Sequence, residues 1–329
     1  MQASEPHAGG PGSPNVSILV VGYNSAALIR NCLNSVAAAC TRSAYEILFV
    51  DQGDGTTEAV VRADFPDVRI VPSEGNLGFA GGNNLLARFA TGTNLLLLNP
   101  DVELHPGSID ALLDASERHA DGSAWGGVTL DRNGDPDVGN TVHVPSLREM
   151  ASRLVGRSRV ALRSGQTFEK DEPAKVLSGG FVMIARSAWD EAGGLDQRFF
   201  LYCEEVDLFC RLHLAGHTFW RIAKARAHHD IGHGEAASPM RVVYLTAGIM
   251  QFARLHWSKP RQWVAIFLIW LGAVQRFAIG MLMSPVGKQF KVLRDSNRLL
   301  ATRPSYWRFG YDPERGLLAR LNRAGSKMP

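Results

Sequence analysis

Short runs of Val, Ile and Leu, bounded by Gly, Pro, Asn and Asp and separated by helically spaced apolar positions, set the rhythm of the first hundred residues. VSILVVG (16–22), YEILFVD (45–51), VRIV (68–71) and NLLLLN (94–99) read as strands. Such runs suit strands covered on both faces. Between them lie helical patterns at 25–38, 56–64 and 80–91. This βαβα alternation predicts a parallel sheet with right-handed crossovers. A helix over 107–119 and a strand, WGGVTL (125–130), come next. Residues 131–175 break the rhythm with DRNGDPDVGN and then Arg148, Arg153, Arg157, Arg159 and Arg163, and read as a loop-rich insertion. Strand patterns return at VLSGGFVMIAR (176–186) and TFWRIAKARAHH (218–229), with a helix starting near Glu204 between them. From Arg241 onward the pattern is mostly helical.

Polar residues gather where the strands end. Proline cannot continue a central ladder, so the strand over 94–99 stops at Asn99-Pro100 and delivers Asp101 at its carboxyl end. Open α/β sheets bind ligands along that edge, where an acid can hold a divalent cation against phosphates. A plain Asn-Pro-Asp turn is the alternative. The first strand ends at Gly22-Tyr23-Asn24 and the second at Asp51. Asp51 can accept hydrogen bonds from a pyrimidine imide or a ribose hydroxyl, or cap the helix that follows. No GxGxxG follows the first strand, so a dinucleotide fingerprint is absent. In EGNLGFAGGNN (74–84) the glycines permit close backbone approach, and Asn76, Asn83 and Asn84 offer amides suited to a sugar. Further on, GGLDQRFFLYCEEVDLFCR (193–211) crowds Glu204, Glu205 and Asp207 into the start of a helix. Acids there complement the helix dipole, or raise one another's pKa towards that of a general base. Arg211 stands four residues after Asp207, in reach of an ion pair. AHHDIGHG supplies His228, His229 and His233, and on a strand only one of His228 and His229 can face the crevice.

Taken in order, VVGYN, LFVD, NLGFAGGNN, LLLNPD, GGLD-x-x-FF-x-Y-x-EE-x-D and HHDIG resemble family 2 glycosyltransferases of the GT-A fold. Within that family the likeness is to the rhamnosyltransferase-like branch of bacterial surface polysaccharide synthesis, over roughly residues 16–234. The resemblance implies an α/β, Rossmann-like, mostly parallel sheet flanked by helices. It also implies inversion at the anomeric carbon, a divalent metal (Mn2+ or Mg2+) and a nucleotide-sugar donor, with dTDP-rhamnose expected. The acceptor would be a saccharide or lipid-linked saccharide. Tyr23, Asn24, Asp51, Asn76, Gly78, Asn83 and Asn99 would hold the donor, and Asp101 with His229 the metal. Glu205 would be the catalytic base, with Gly180, Glu204 and Asp207 supporting it or the acceptor side. Two features depart from the family's pattern. Its base is usually the aspartate of a Glu-Asp pair, whereas Glu205 adds a methylene, and DQGDGT is shorter than the usual loop.

Charge adds a division that the motifs do not show. Residues 1–240 carry 20 Lys and Arg against 29 Asp and Glu, whereas residues 241–329 carry 15 against 3. So basic a tail suits an anionic partner, lipid or nucleic acid. No stacking motif or reading helix supports nucleic acid. WVAIFLIWLGAV (263–274) and the residues to Met283 form a 21-residue apolar stretch with Arg276 inside it and Lys259, Arg261, Lys288, Lys291 and Arg294 flanking it. Burying Arg276 in lipid would cost about 2.5–3.5 kcal/mol. The stretch is therefore read as a helix lying on an anionic membrane surface, with a core or dimer helix and a true span as alternatives. Cys32, Cys40, Cys203 and Cys210 lack metal-ligand spacing and are expected to be reduced. MQASEPHAGGPGSPN (1–15) has no apolar core of a signal peptide and reads as a flexible leader. The expected organisation is that leader, a catalytic domain over 16–240 (nucleotide half 16–105, acceptor half 106–240) and a helical, basic, membrane-associating region over 241–329. Its expected place is the cytoplasmic face of the inner membrane. A nucleotidyltransferase, or a silent nucleotide-sugar-binding scaffold, would also suit acids beside a nucleotide crevice.

Overall fold

A computed structural model describes residues 13–156, 167–229 and 239–323. The leader up to residue 12, Arg157, Arg159, Arg163 and His233 lie outside the described residues. The chain forms two compact units. One holds the sheet, and the other a helix over Leu147–Leu154, the segment Gln197–Glu204 and the carboxyl-terminal helices.

In the first unit, β1 (Val16–Gly22), β2 (Tyr45–Asp51), β3 (Arg69–Ile70) and β4 (Asn94–Leu98) pair in parallel in the order β3-β2-β1-β4. Crossovers are made by α1 (Ile29–Ala39), α2 (Thr56–Asp64) and α3 (Gly78–Phe89). Ile18, Leu19, Val20, Leu95 and Leu96 are completely buried, which is why their strands carry no polar alternation. On α1 the buried positions Ile29, Cys32, Leu33, Val36 and Ala39 follow the helical period. The chain runs outward from β1 to β3 and then returns to the other side of β1. That reversal makes the carboxyl ends of β1 and β4 a switch point, where side chains from both can reach one ligand.

Beyond β4 the sheet turns mixed. β8 (Phe181–Ala185) runs antiparallel to β4, and β6 (Gly122–Leu130) antiparallel to β8. β9 (Thr218–His229) is parallel to β6, while β5 (Val102–Leu104) and β7 (Glu172–Ala174) pair antiparallel with β9. β5 follows β4 after three residues yet stands at the far edge of the strand order. So short a link spans at most about 14 Å. The sheet must therefore curl until its last strand stands beside the end of β4, which brings His229 of β9 towards Asp101. The helices α4 (Ser108–Arg118), α6 (Arg186–Ala192) and α7 (Glu204–Leu214) complete the unit.

The polar stretch after β6 has more order than its composition predicts. Val138–Thr141 forms a 3-10 turn, and α5 (Leu147–Leu154) is capped by the Ser146 hydroxyl. The strand expected over 176–186 ends at Ala185, because Arg186 turns inward to donate to the Ala87 and Ala90 carbonyls at 3.0 and 2.6 Å. There it neutralises the carboxyl end of α3.

The second unit contains α8 (Pro239–His256), α9 (Lys259–Met283), α10 (Lys288–Thr302) and α11 (Leu317–Arg323). On α9 the buried positions are Gln262, Ala265, Gly272, Ala273 and Gly280, whereas Trp263, Phe267, Met281 and Leu282 are exposed. This inverts the polarity of a helix that faces water. Only 22% of the helix's most apolar window is buried, so it is no core helix of this chain. Within this unit Arg276 Nη2 donates to the Arg153 carbonyl, 3.3 Å away at the end of α5.

Candidate active site

Three side chains at the strand ends begin the site. Asn24, exposed just beyond β1, takes a left-handed φ of 50°, a conformation that its short amide tolerates. Tyr23 beside it is half-buried. Asp51 is buried and accepts from the Gly53 amide at 2.8 Å and the Glu58 amide at 3.0 Å, so it caps α2 as well as closing the crevice. Gln52 carries a role that its sequence setting does not announce. Its amide accepts from Leu77 N–H at 2.5 Å and donates to the Gly78 carbonyl at 2.9 Å, clamping the glycine-rich loop to the end of β2. The Asn76 side chain accepts from Gly78 N–H at 3.1 Å and shapes the same turn.

The other two asparagines of that loop point elsewhere. Asn83 is buried and donates to the Phe79 carbonyl within α3, so its amide is spent on the helix and does not face a sugar. Asn84 forms a two-way bond with the Leu195 backbone, at 2.7 and 3.0 Å. A Cβ on Gly194, whose φ is +73°, would fall 2.6 Å from the Asn84 oxygen, which accounts for a glycine there. Asp207 pairs with Arg211 at 2.7 Å, and Arg211 in turn holds the Ala192 and Gly194 carbonyls. The expected pair therefore moors the Gly193-Gly194 loop to α7. Removing Arg211 would take this partner from the buried Asp207 carboxylate, at a cost of up to about 3–5 kcal/mol.

At the end of β4, Asn99 N–H donates to the Gly180 carbonyl at 2.9 Å. A Cβ on Gly180 would come 3.1 Å from the Asn99 amide, and one on Gly179 would stand 3.2 Å from the Phe79 ring and 3.7 Å from the Glu205 Cβ. Two glycines thus let the turn before β8 slip between Asn99 on one side and Glu205 with Phe79 on the other. Glu205 is half-buried. Glu204 is buried, and burial of Tyr311, with the nearby charge of Glu204, pushes the Tyr311 hydroxyl well above its ordinary pKa. Tyr202 and Cys203, just before Glu204, both have left-handed φ angles of 68° and 69°. Tyr311 donates to the Leu201 carbonyl at 2.6 Å and steadies that strained turn.

Asp101 faces His229, with Oδ2 and Nε2 3.5 Å apart. His228, one residue earlier, is exposed, with its ring tilted at 54° to that of His105; both histidines line the cavity beside Asp101, and it is His229 that meets the Asp101 carboxylate. Sequence reading missed Asp137, which meets His229 Nδ1 at 3.0 Å from the other side. Burial opposes a charge on His229, but its bonds to Asp101 and Asp137 outweigh that and push it up to about 9. Oδ1 of Asp101 is buried without a hydrogen-bond partner among the described residues. A cavity of about 280 Å³ opens beside Asp101 and His229, lined also by Asn31, Glu103 and Arg132. Burial, with a smaller contribution from the charges of Asp101 and Glu103, pushes the Cys32 thiol upward. No ready-made cluster of three metal-ligating side chains occurs among the described residues. An acid with one idle oxygen opposite an imidazole fits a cation that takes its remaining ligands from a bound diphosphate.

Two solved structures share this architecture. GalNAc-T7, solved with UDP, GalNAc and Mn2+, superposes with a TM-score of 0.56 at 14% identity over 87% of this chain, which spans 55% of that one. The mannosyltransferase PcManGT from Pyrobaculum calidifontis, solved with GDP-Man and Mn2+, gives 0.53 at 16% identity over 88% of this chain and 86% of that one. The N-acetylglucosaminyl-diphospho-decaprenol L-rhamnosyltransferase of Mycobacterium tuberculosis is 30% identical over 248 residues, 68% of this chain and 78% of its own. The rhamnosyltransferase WbbL of Escherichia coli is 24% identical over 65% of this chain and 84% of its own. Residues 17–193 match the model of glycosyl transferase family 2, and the chain belongs to that family, with a rhamnosyltransferase-like sequence.

Proposed function

We propose that this glycosyltransferase moves rhamnose, with inversion, from dTDP-rhamnose to a saccharide carried on a polyprenyl diphosphate. The observation that carries the reading is the turn around Gly179-Gly180. It sets Glu205 on one side and the Asn99-Pro100-Asp101 corner on the other, as a base and a leaving-group site must be arranged. Relatives that share the sequence pattern are named for rhamnosyl transfer, one of them onto a diphospho-decaprenol acceptor.

Asp101 and His229 would hold a divalent cation, Mn2+ or Mg2+, which when bound offsets the charge that builds on the departing diphosphate. Asn24, Asp51 and the loop around Asn76 and Gly78, braced by Gln52, orient the nucleotide at the switch point. Glu205 takes the proton of the acceptor hydroxyl. The hydroxyl oxygen then bonds to the anomeric carbon as the bond from that carbon to the diphosphate breaks. One displacement suffices, without a covalent enzyme intermediate. Residues 16–105 would serve the nucleotide and 106–240 the acceptor.

Incubating the full chain with Mn2+, a synthetic N-acetylglucosaminyl diphosphate lipid and each of dTDP-rhamnose, UDP-GlcNAc and GDP-mannose tests the reading. Transfer from dTDP-rhamnose should exceed the others by at least about 100-fold, since a pocket that bonds donor hydroxyls strongly rejects a mismatched sugar. Transfer from another donor alone would refute the choice of sugar.

The outward face of α9, with Trp263, Phe267 and Trp270 exposed and Lys259 and Arg261 beside them, suits the cytoplasmic surface of the inner membrane. There the enzyme would meet a lipid-linked acceptor. Replacing the three aromatics by Ser removes about 1.5–3 kcal/mol of burial each. Binding to phosphatidylglycerol vesicles should fall at least about 100-fold. Wild-type protein that stays wholly soluble with these vesicles at low salt would end the docking proposal.

A further inference from the structure

We infer that Asp137 is a positioning residue for the cation site, fixing the tautomer and orientation of His229 so that Nε2 is the atom presented beside Asp101. The inference rests on the metal-dependent reading above and goes beyond it, because Asp137 belongs to none of the motifs that carry the family resemblance.

The two oxygens of Asp137 have separate duties. Oδ1 accepts from the Thr129 hydroxyl at 2.6 Å, the Gly139 amide at 2.7 Å and the Asn140 side chain at 3.3 Å. Oδ2 meets His229 Nδ1 at 3.0 Å. The turn that carries it is itself fastened to β6. Asp137 N–H donates to the Thr129 carbonyl at 3.0 Å, and the Asn140 amide closes on the Thr129 backbone at 2.6 and 3.1 Å. Thr129 pairs in register with Ala227, two residues before His229 on β9. The carboxylate therefore has no freedom to swing away. Nδ1 must carry a proton to satisfy it, so once a cation displaces the proton that His229 otherwise shares between Nε2 and Asp101, the Nε2 lone pair stands on the side of Asp101. Metal-ligating histidines are commonly held by such an outer acid, whose loss costs about 10–100-fold in metal affinity.

Asp137→Asn separates this role from a merely structural one. Three donors converge on Oδ1, so the amide oxygen must stay there and the amide nitrogen falls opposite His229. An N–H facing Nδ1 reverses the hydrogen bond and drives the proton to Nε2, the wrong tautomer for a ligand. Mn2+ affinity, read by electron paramagnetic resonance with dTDP present, should drop about 10–100-fold, while the melting temperature stays near that of wild type. In Mg2+ and dTDP, the nitrogen shifts of His229 in the wild-type protein should report Nδ1–H. Unchanged Mn2+ affinity in Asp137→Asn, or a wild-type His229 that carries its single proton on Nε2 and none on Nδ1, overturns the inference and leaves the metal-dependent reading standing. Wild-type protein that binds no Mn2+ with dTDP overturns both.

Discussion

Glu205→Gln is expected to lower turnover by about 10²–10⁴-fold, the usual worth of a general base, while dTDP binds as it does to wild type. The substitution keeps the length and volume of the side chain, so its neighbours Gly179 and Phe79 are undisturbed. Only the ability to take a proton is lost. Initial rates with dTDP-rhamnose, alongside calorimetric binding of dTDP, measure the two quantities separately. Near-normal turnover would remove Glu205 from the base position, and the search would move to acids outside this turn.

The parts legible in the sequence are those whose causes are local. β1, β2, β9 and α2 begin and end where their patterns do; for β1 the reason is that a strand buried on both faces shows itself as an unbroken apolar run. That Asn24, Asp51 and Asp101 each follow a strand ending on the same edge of the sheet could be read from the rule that parallel strands end on one side. What stayed hidden depends on partners far away in sequence. Asp137 reads as one more polar residue in a turn-rich stretch, and its meaning comes from His229, 92 positions later. Asn84 looks like a sugar-binding amide until its bond to Leu195, 111 residues on, takes up both ends of the side chain. Three-residue β5 leaves no periodic signal at all, yet it carries the chain from Asp101 to its place beside β9. A turn signal at Asp137, an acid two residues before a glycine and three before an asparagine, was the one local clue to a capped and ordered loop.

Asp101→Asn should act on a different quantity from Glu205→Gln, and the pair of variants divides the mechanism. The amide matches the carboxylate in size but carries no charge, so the corner after β4 keeps its shape. With His229 it can no longer hold a divalent cation firmly, since hard cations favour charged oxygen ligands. Transfer at saturating dTDP-rhamnose is expected to fall by about 10²–10³-fold, comparable with losing one stabiliser of the developing charge. In wild type Mn2+ is expected to tighten dTDP binding, and unlike Glu205→Gln this variant should lose that tightening. A calorimetric titration of dTDP with and without Mn2+ reads that difference directly. Loss of turnover with Mn2+-dependent binding intact would place the cation elsewhere and make Asp101 a turn residue. Loss of both ties the buried, unpartnered Oδ1 to the metal, and with it the Asn99-Pro100-Asp101 corner to the leaving diphosphate.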